Sequence, residues 1–208
     1  EGGALANFWA YGDGTAAAAY SELMAASQPL VAAQALHAYP FRRHRRLLDV
    51  GGGEGAFLEA VGAAHPELAL SLFDLPPVAA RARNRVGSRA EVHEGSFLED
   101  PLPEGADLLS LVRILHDHDD APAARILARC HAALPAGGRL LIVEPLAGTP
   151  GAESVGTYFS FYLKAMGSGR PRTAREYGAM LEAAGFADVR EHRVALPMIA
   201  RVVSARRH

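Results

Sequence analysis

The sequence predicts an α/β domain built on a mainly parallel sheet, and three observations lead to that prediction. Short apolar runs alternate with helical patterns along most of the chain, which is the order of successive strand and helix units. The first run ends at Val50 and passes directly into a glycine-rich loop, Gly51 to Gly55. The chain closes with two β-like segments near enough in sequence to pair antiparallel, Phe186 to Val194 and Met198 to Ala205.

The individual elements follow from the spacing of apolar residues. A helical stretch from Ala16 to Ala38 comes first and carries Pro29 as a kink or break. Strands are then predicted at Arg46 to Val50, Ala69 to Phe73, Ala90 to His93, Asp107 to Ile114 and Arg139 to Glu144. Helices are predicted between them at Ala56 to Ala64, Val78 to Val86 and Pro122 to Leu134. A helix between successive strands makes a parallel sheet the expected arrangement.

The C-terminal part departs from this alternation. Glu153 to Met166 has the pattern of a longer helix, followed by a glycine-rich loop at 167–171. Thr173 and Glu176 have the spacing of a capping box, so a helix begins there, and Gly185 is suited to its C-terminal end. We therefore expect seven strands, the last two forming an antiparallel hairpin, with helices on both faces of the sheet.

Composition limits the class of protein. With 208 residues, half of them apolar, the chain suits one domain with a full core. The net charge of −2 gives no general reason to expect nucleic-acid binding, and the basic run Arg42 to Arg46 is interpreted as a solvated connection. No apolar run is long enough for a transmembrane helix, and a single cysteine, Cys130, excludes an internal disulfide. A cytoplasmic location is expected.

The glycine loop fits two kinds of cofactor. Gly51, Gly53 and Ala56 satisfy the dinucleotide pattern, whereas Asp49 followed by Gly51, Gly53 and Gly55 satisfies that of a loop binding S-adenosylmethionine. S-adenosylmethionine carries an ammonium and a sulfonium, so a carboxylate at the strand end attracts it, while a pyrophosphate there is repelled. Asp49 therefore favours the methyl donor.

Asp74 ends the second predicted strand and is placed to bind ribose hydroxyls, which either cofactor offers. The alternative interpretation is that Asp74 caps the helix that follows Pro76 and Pro77.

A second group of polar residues follows the buried strand that precedes His116. Ligands bind at the carboxyl ends of parallel strands, so His116 is well placed as a base for a substrate hydroxyl. Glu144, at the end of the next strand, would orient the ring and stabilise the imidazolium. The alternatives are a buried structural histidine and a glutamate that merely ends a strand before Pro145.

The residues around His116 also allow other roles. Asp119 or Asp120 is expected to be the N-cap of the following helix. A metal site built from His116, Asp117, His118 and Asp120 is a further alternative, but ligands crowded into one short segment rarely converge without a distant partner, so no metal is predicted.

With these residues placed, the chain resembles the caffeate and acetylserotonin type of small-molecule O-methyltransferase over nearly all of its length. The matching motifs are Asp49 to Gly55, Phe73 to Pro76, Leu115 to Asp120 and Gly137 to Pro145. The resemblance implies a Rossmann-like class I methyltransferase fold, for which a parallel sheet finished by an antiparallel hairpin is typical. It also implies S-adenosylmethionine as methyl donor and S-adenosylhomocysteine as product.

The resemblance assigns site residues as follows. His116 becomes the catalytic base, with Glu144 as its supporting acid and Asp117 beside it in the motif. The donor would be held by the glycine loop with Asp49, by Asp74 and Leu75, by Ser96 and Phe97 near the adenine, and by Arg113. The acceptor would meet Met24, Phe159, Tyr162 and Met166.

A narrower likeness is to the bacterial hydroxyneurosporene O-methyltransferases of carotenoid synthesis. It is carried by Gly95 to Phe97, Ser110 to Arg113 and Ala165 to Arg172. The family usually has an N-terminal helical domain that makes a homodimer, and the expectation here is that this domain is absent. Residues 1–46 would then be a helical linker and lid, and residues 47–208 the catalytic domain that binds S-adenosylmethionine.

The function predicted is methyl transfer to a hydroxyl of a small apolar metabolite, such as a hydroxycarotenoid, a phenol or a polyketide. One alternative is an NAD(P)-dependent oxidoreductase, which rests on Gly51, Gly53, Ala56 and Asp74. Another is a non-catalytic module that binds S-adenosylmethionine, which would have no need of a base with its supporting acid.

Overall fold

The computed structural model describes residues 27–152 and 167–208. The helices are α1 (27–38), α2 (Ala56–Ala64), α3 (Pro76–Val86), α4 (Asp120–Ala133) and α5 (Ala174–Ala183). The strands are β1 (Arg46–Val50), β2 (Ala69–Asp74), β3 (Ala90–Glu94), β4 (Leu108–Val112), β5 (Arg139–Glu144), β6 (Phe186–His192) and β7 (Arg201–Arg207). Short 3₁₀ turns lie at Phe41–Arg43, Gly87–Arg89 and Leu115–Asp117.

The seven strands form one sheet in the order β3-β2-β1-β4-β5-β7-β6. Strands β1 to β5 pair in parallel, while β7 is antiparallel to both β5 and β6. The predicted fold class is confirmed, including the antiparallel hairpin. Because the chain reverses its crossover direction after β3, the carboxyl ends of β1 and β4 lie side by side at a switch point of the topology.

The core lies on the two faces of the sheet because successive strand residues point to opposite faces. One face packs Leu48, Leu109 and Ile142 under α4 and α5. The other packs Leu47 and Leu141 under α1 and α2. Strands β4 and β5 are buried almost throughout, as central parallel strands covered by helices must be.

Several predicted boundaries are wrong: α3 begins at Pro76 and not at Val78, β6 ends at His192 and not at Val194, and β7 runs over Arg201–Arg207 and not from Met198 to Ala205. Two further differences have a local cause. Strand β4 ends at Val112 and not at Ile114, because Arg113 adopts the left-handed region with φ 57° and turns the chain. Helix α4 begins at Asp120, with Asp119 at the N-cap position but without a side-chain cap. The Asp119 carboxylate instead accepts a hydrogen bond from Gly169 N at 3.0 Å.

Other predicted signals are confirmed. Thr173 and Glu176 form both hydrogen bonds of a capping box at the start of α5, and Gly185 follows the end of that helix with φ 92°. The kink or break expected at Pro29 stays a prediction, because Pro29 lies inside α1 close to the start of the described residues. The helix predicted at Glu153 to Met166 and the predicted helical residues before 27 lie outside the described residues.

Candidate active site

The loop after β1 is shaped by three glycines with positive φ, Gly51 at 71°, Gly53 at 59° and Gly55 at 89°. A Cβ at Gly51 would lie 2.5 Å from Ile114 Cδ1 and 3.1 Å from the ring of Phe97, so only glycine fits there. At Gly53 no heavy atom of residues 27–152 or 167–208 lies within 4 Å of such a Cβ. The loop thus packs closely against the segment leading to His116, and the described part of the chain leaves open space in front of Gly53.

Asp49 lies fully buried in β1, opposite Ser110 of β4. The Ser110 hydroxyl donates to Asp49 Oδ1 at 2.6 Å, whereas Oδ2 has no hydrogen-bond partner among the described residues. Burial raises the pKa of Asp49 to about 7, against the opposing effect of the Ser110 hydrogen bond. A buried carboxylate oxygen without a donor, beside the glycine loop, suits a cationic or hydrogen-bonding ligand group.

Asp74 lies at the end of β2 and is held by the backbone. It accepts hydrogen bonds from Gly53 N at 2.8 Å and from Leu75 N at 2.7 Å. Burial raises its pKa to about 6, while these two hydrogen bonds act in the opposite direction. Each carboxylate oxygen has a second lone pair, so Asp74 can still accept from ligand hydroxyls. Helix α3 has no side-chain cap, so capping by Asp74 is not its role.

Phe97 lies beside the glycine loop, with its ring edge-on to His118 at a centroid distance of 5.6 Å. Ser96 shapes the turn after β3, because its amide donates to Asp100 Oδ2 at 2.7 Å and its hydroxyl accepts from Leu98 N at 3.3 Å. Contact of Ser96 and Phe97 with an adenine remains a prediction.

His116 lies in the 3₁₀ turn after β4 and is 2% exposed. Its Nδ1 lies 3.4 Å from Glu144 Oε2, and its Nε2 lies 3.2 Å from Asp117 Oδ1. Burial lowers the pKa of His116, but the Asp117 and Glu144 carboxylates outweigh that effect and raise it above the ordinary histidine value. The structure therefore brings together the three residues predicted to be catalytic.

Glu144 is fully buried at the end of β5. Its Oε2 lies 3.4 Å from the His116 amide nitrogen, and its Oε1 accepts a hydrogen bond from the hydroxyl of Tyr177 in α5. Burial raises the pKa of Glu144, while His116 and Tyr177 act to lower it. Tyr177 was not predicted, because its buried position in the helical pattern of α5 indicates only core packing.

Arg172 is a second residue that sequence reasoning missed. Its guanidinium is fully buried and donates to Leu115 O at 2.7 Å and His118 O at 2.8 Å, the carbonyls on either side of His116 and Asp117. It also donates to Asp120 Oδ1 at 2.8 Å. Arg172 therefore fixes the turn that carries the histidine.

The glycine-rich loop at 167–171 supports the same turn. Gly169 has φ 85°, and a Cβ on it would lie 2.6 Å from the Asp117 carbonyl carbon. The Ser168 hydroxyl donates to Asp117 O at 3.2 Å. A glycine-rich sequence signals a loop, but its contact with the His116 turn follows only from the tertiary structure.

Arg113 leads from β4 toward α1. Its guanidinium donates to Ser27 Oγ at 2.8 Å and to the side-chain oxygen of Gln28. The start of the described chain is thus attached to the edge of the sheet that carries His116. The predicted contact of Arg113 with a donor remains a prediction.

The four residues predicted to line the acceptor site lie outside the described residues. They are Met24, Phe159, Tyr162 and Met166. Among residues 27–152 and 167–208, no group of three or more His, Cys, Asp or Glu side chains is arranged to hold a metal ion. No helix in the same ranges is both long and apolar enough to span a bilayer.

A family model for the O-methyltransferase domain matches residues 3–187 of this sequence. The chain belongs to the O-methyltransferase family. This O-methyltransferase domain is 46% identical over 211 residues to demethylspheroidene O-methyltransferase of Rhodobacter capsulatus, covering 98% of this chain and 53% of that protein. It thus spans about half the length of the curated relatives it matches.

Solved structures resemble this O-methyltransferase domain closely. The crystal structure of LaPhzM matches with a TM-score of 0.88 and 29% identity, covering 99% of this chain and 62% of that one. The O-methyltransferase NcsB1 from neocarzinostatin biosynthesis, solved with S-adenosylmethionine and 2-hydroxy-5-methyl naphthoic acid, matches with a TM-score of 0.79 and 33% identity. That match covers 92% of this chain and 57% of NcsB1.

Proposed function

We propose that this chain is the catalytic part of an S-adenosylmethionine-dependent O-methyltransferase that methylates a hydroxyl of a small, apolar metabolite. The observation that carries the proposal is the placement of His116. Its ring lies between the Glu144 and Asp117 carboxylates, on a turn whose preceding residue Ile114 packs against the glycine loop that Asp49 and Asp74 flank. A base and a cation-binding loop thus meet at one edge of the sheet.

The residues of the loop fit the proposed donor. The unpartnered Oδ2 of Asp49 suits the positive end of S-adenosylmethionine, and the Asp74 carboxylate suits ribose hydroxyls. NcsB1, a relative of the same fold, is solved with S-adenosylmethionine bound. S-adenosylmethionine supplies an electrophilic methyl group on a sulfonium, so the protein's part is to align the acceptor and take its proton.

In this proposal His116 is the general base. Glu144 Oε2 lies on the Nδ1 side of the ring, and Nε2, which has Asp117 Oδ1 at 3.2 Å, is the nitrogen we propose to take the proton of the acceptor hydroxyl. The buried Glu144 carboxylate then stabilises the imidazolium that forms. Asp117 Oδ1 lies on the Nε2 side and can orient the hydroxyl.

The acceptor is proposed to be apolar, as predicted from the sequence. The relative from Rhodobacter capsulatus is named for demethylspheroidene, which supports a carotenoid-type alcohol. The naphthoic acid bound in NcsB1 supports a phenolic acceptor for a related site. A phenol, with a pKa of about 10, loses its proton to histidine more readily than an aliphatic alcohol. Met24, Phe159, Tyr162 and Met166 are the residues we propose for acceptor contact.

Residues 1–46 are proposed as the linker and lid, and 47–208 as the catalytic domain. The hydrogen bond from Arg113 to Ser27 supports this, because it attaches the N-terminal segment to the catalytic edge. A homodimeric full-length protein and a cytoplasmic location are proposed as well. Sedimentation of a full-length relative and cell fractionation test these two points.

Calorimetric titration with S-adenosylhomocysteine, in parallel with NAD and NADP, tests the proposed donor site. We expect only the sulfur compound to bind, and expect Asp74→Ala to weaken it by about tenfold or more through lost hydrogen bonds to a carboxylate. Asp188→Ala is the matched control, since Asp188 pairs with Arg139 and Arg190 away from the loop. Binding of a nicotinamide cofactor, or of none of the three, contradicts the proposal.

A further inference from the structure

Tyr177 connects helix α5 to the histidine through a buried carboxylate. Its side chain is fully buried, and its hydroxyl donates to Glu144 Oε1. The other oxygen, Oε2, is the one that lies 3.4 Å from both His116 Nδ1 and the His116 amide nitrogen. The two oxygens of Glu144 thus face opposite partners, Tyr177 on one side and His116 on the other.

The position of Tyr177 is itself fixed by neighbouring structure. The capping box of Thr173 and Glu176 sets the start of α5, and Tyr177 N donates to Thr173 O at 3.1 Å in the first turn. The Arg172 guanidinium lies 5.9 Å from the centre of the Tyr177 ring, within the range of a cation–π contact. The same guanidinium holds the carbonyls of Leu115 and His118. The tyrosine and the histidine turn therefore share one anchor.

We infer that Tyr177 is a positioning residue for methyl transfer, whose hydroxyl holds Glu144 Oε1 so that Oε2 stays directed at His116. The inference deepens the proposed function and rests on it. Without the hydroxyl, Glu144 Oε1 would lose its donor from α5, so the carboxylate would be less precisely oriented and its negative charge would be left to the facing imidazole. Burial and the Glu144 charge raise the pKa of Tyr177 well above 10, so the hydroxyl stays protonated and remains a donor.

The hydrogen bond also affects proton affinity. A donor on Oε1 stabilises the ionised form of Glu144. When the donor is removed, the coupled pair of Glu144 and His116 takes up its proton more readily, and the form with a neutral base appears only at higher pH. The charged and titratable groups that surround the pair are Asp117, Arg113 and His118 near His116, and Arg172 near Tyr177.

The test is Tyr177→Phe, which removes the hydroxyl and keeps the ring. We expect kcat to fall about tenfold, KM for S-adenosylmethionine to stay within about twofold, and the acidic limb of the pH–rate profile to move up by about one unit. Tyr39→Phe is the matched control, because Tyr39 is also buried and its hydroxyl lies 2.8 Å from His44 Nε2, away from the site. The control variant should leave kcat and the acidic limb of the pH–rate profile unchanged.

A second measurement tests the role of Tyr177 without requiring methyl transfer. The titration of the His116 ring, followed by NMR in the wild type and in Tyr177→Phe, should show the same upward displacement without any acceptor. Absence of methyl transfer in the wild type would contradict the proposed function but leave this titration decisive for Tyr177. An unchanged titration and an unchanged pH–rate limb in a folded Tyr177→Phe protein would overturn the inference.

If Tyr177→Phe does not fold, 3-fluorotyrosine at position 177 serves instead. Fluorination makes the hydroxyl a stronger donor with nearly the same shape. The acidic limb and the His116 titration should then move to lower pH, opposite to the effect of removing the hydroxyl. No displacement, or one to higher pH, would overturn the inference.

Discussion

A histidine lies beside a carboxylate at the amino ends of the parallel strands (the amino edge) and another at their carboxyl ends (the carboxyl edge). The pKa values of the two histidines are shifted in opposite directions. At the amino edge, His44 Nδ1 lies 3.3 Å from Asp107 Oδ2; at the carboxyl edge, His116 Nδ1 lies 3.4 Å from Glu144 Oε2. The distances are almost equal. The pKa of His44 is nevertheless lowered, mainly by burial, whereas that of His116 is raised.

The difference lies in what else the carboxylates do. Asp107 is 36% exposed and accepts hydrogen bonds from the backbone amides of Arg45 and Arg46, and Arg139 lies near enough to repel a proton on His44. Glu144 is fully buried, and Asp117 adds a second carboxylate on the opposite side of the His116 ring. Proximity to an acid is therefore not sufficient for basicity. The acid must also be desolvated, and at His116 a second carboxylate adds to its effect.

The largest expected effect separates the two histidines by activity. His116→Ala should reduce methyl transfer by about a thousandfold, the range of a lost general base, while binding of S-adenosylhomocysteine persists. His44→Ala should leave the rate within about twofold, because the amino edge does not meet the substrate. Initial rates with a radiolabelled methyl donor measure both. Equal losses of activity in His116→Ala and His44→Ala would contradict the claim that only the histidine at the carboxyl edge takes part in methyl transfer.

The carboxylates can be compared in the same way. Glu144→Gln should lower kcat by about 10- to 100-fold, since the amide orients the ring without stabilising the imidazolium. Asp107→Asn is its control and should affect thermal stability and not kcat, because Asp107 holds the backbone amides of Arg45 and Arg46. A full kcat in Glu144→Gln would mean that the glutamate only ends its strand.

Substitutions at two glycines allow the cost of backbone strain to be measured apart from the cost of a steric clash. Gly137 at the amino edge and Gly169 at the carboxyl edge have φ of 82° and 85°. A Cβ at Gly137 meets nothing within 4 Å, so Gly137→Ala should cost only the left-handed strain, about 1 kcal/mol. Gly169→Ala adds a clash with the Asp117 backbone and should cost about 2 to 3 kcal/mol in urea unfolding. Equal costs would show that the turn tolerates displacement.

These comparisons also show what the sequence could predict. The buried strands β1 and β5 were predicted with their bounds, because continuous apolar runs have few other interpretations. The end of β4 was predicted too far along, since Ile114 and Leu115 continue the apolar run after Arg113 has turned the chain. The pattern of apolar residues indicates which residues are buried, but it does not indicate that Arg113 has a positive φ.

Within the candidate site, the residues proposed to take part in the chemistry were easier to predict than those that hold them in place. His116, Glu144 and Asp49 stand out in the sequence because a polar residue at the end of an apolar strand is expected to be buried, and burying a polar group requires a reason. Arg172 and Tyr177 act across long sequence separations, and an arginine before a helix resembles any exposed arginine until its partners are known. Asp119 does occupy the predicted N-cap position of α4, but its carboxylate accepts a hydrogen bond from Gly169 N and not from the helix, a contact that the local sequence does not reveal.

The most direct test is an NMR titration of the histidine rings with and without S-adenosylhomocysteine. The chain has nine histidines, so the signals of His116 and His44 are identified by their loss in His116→Asn and His44→Asn. We predict that His116 titrates above 6.5 and His44 below it, so that the acidic limb of methyl transfer also lies above 6.5. S-adenosylhomocysteine should perturb His116 and leave His44 unchanged. A His116 ring that titrates below 6.5, or a ligand that perturbs only His44, would contradict the account.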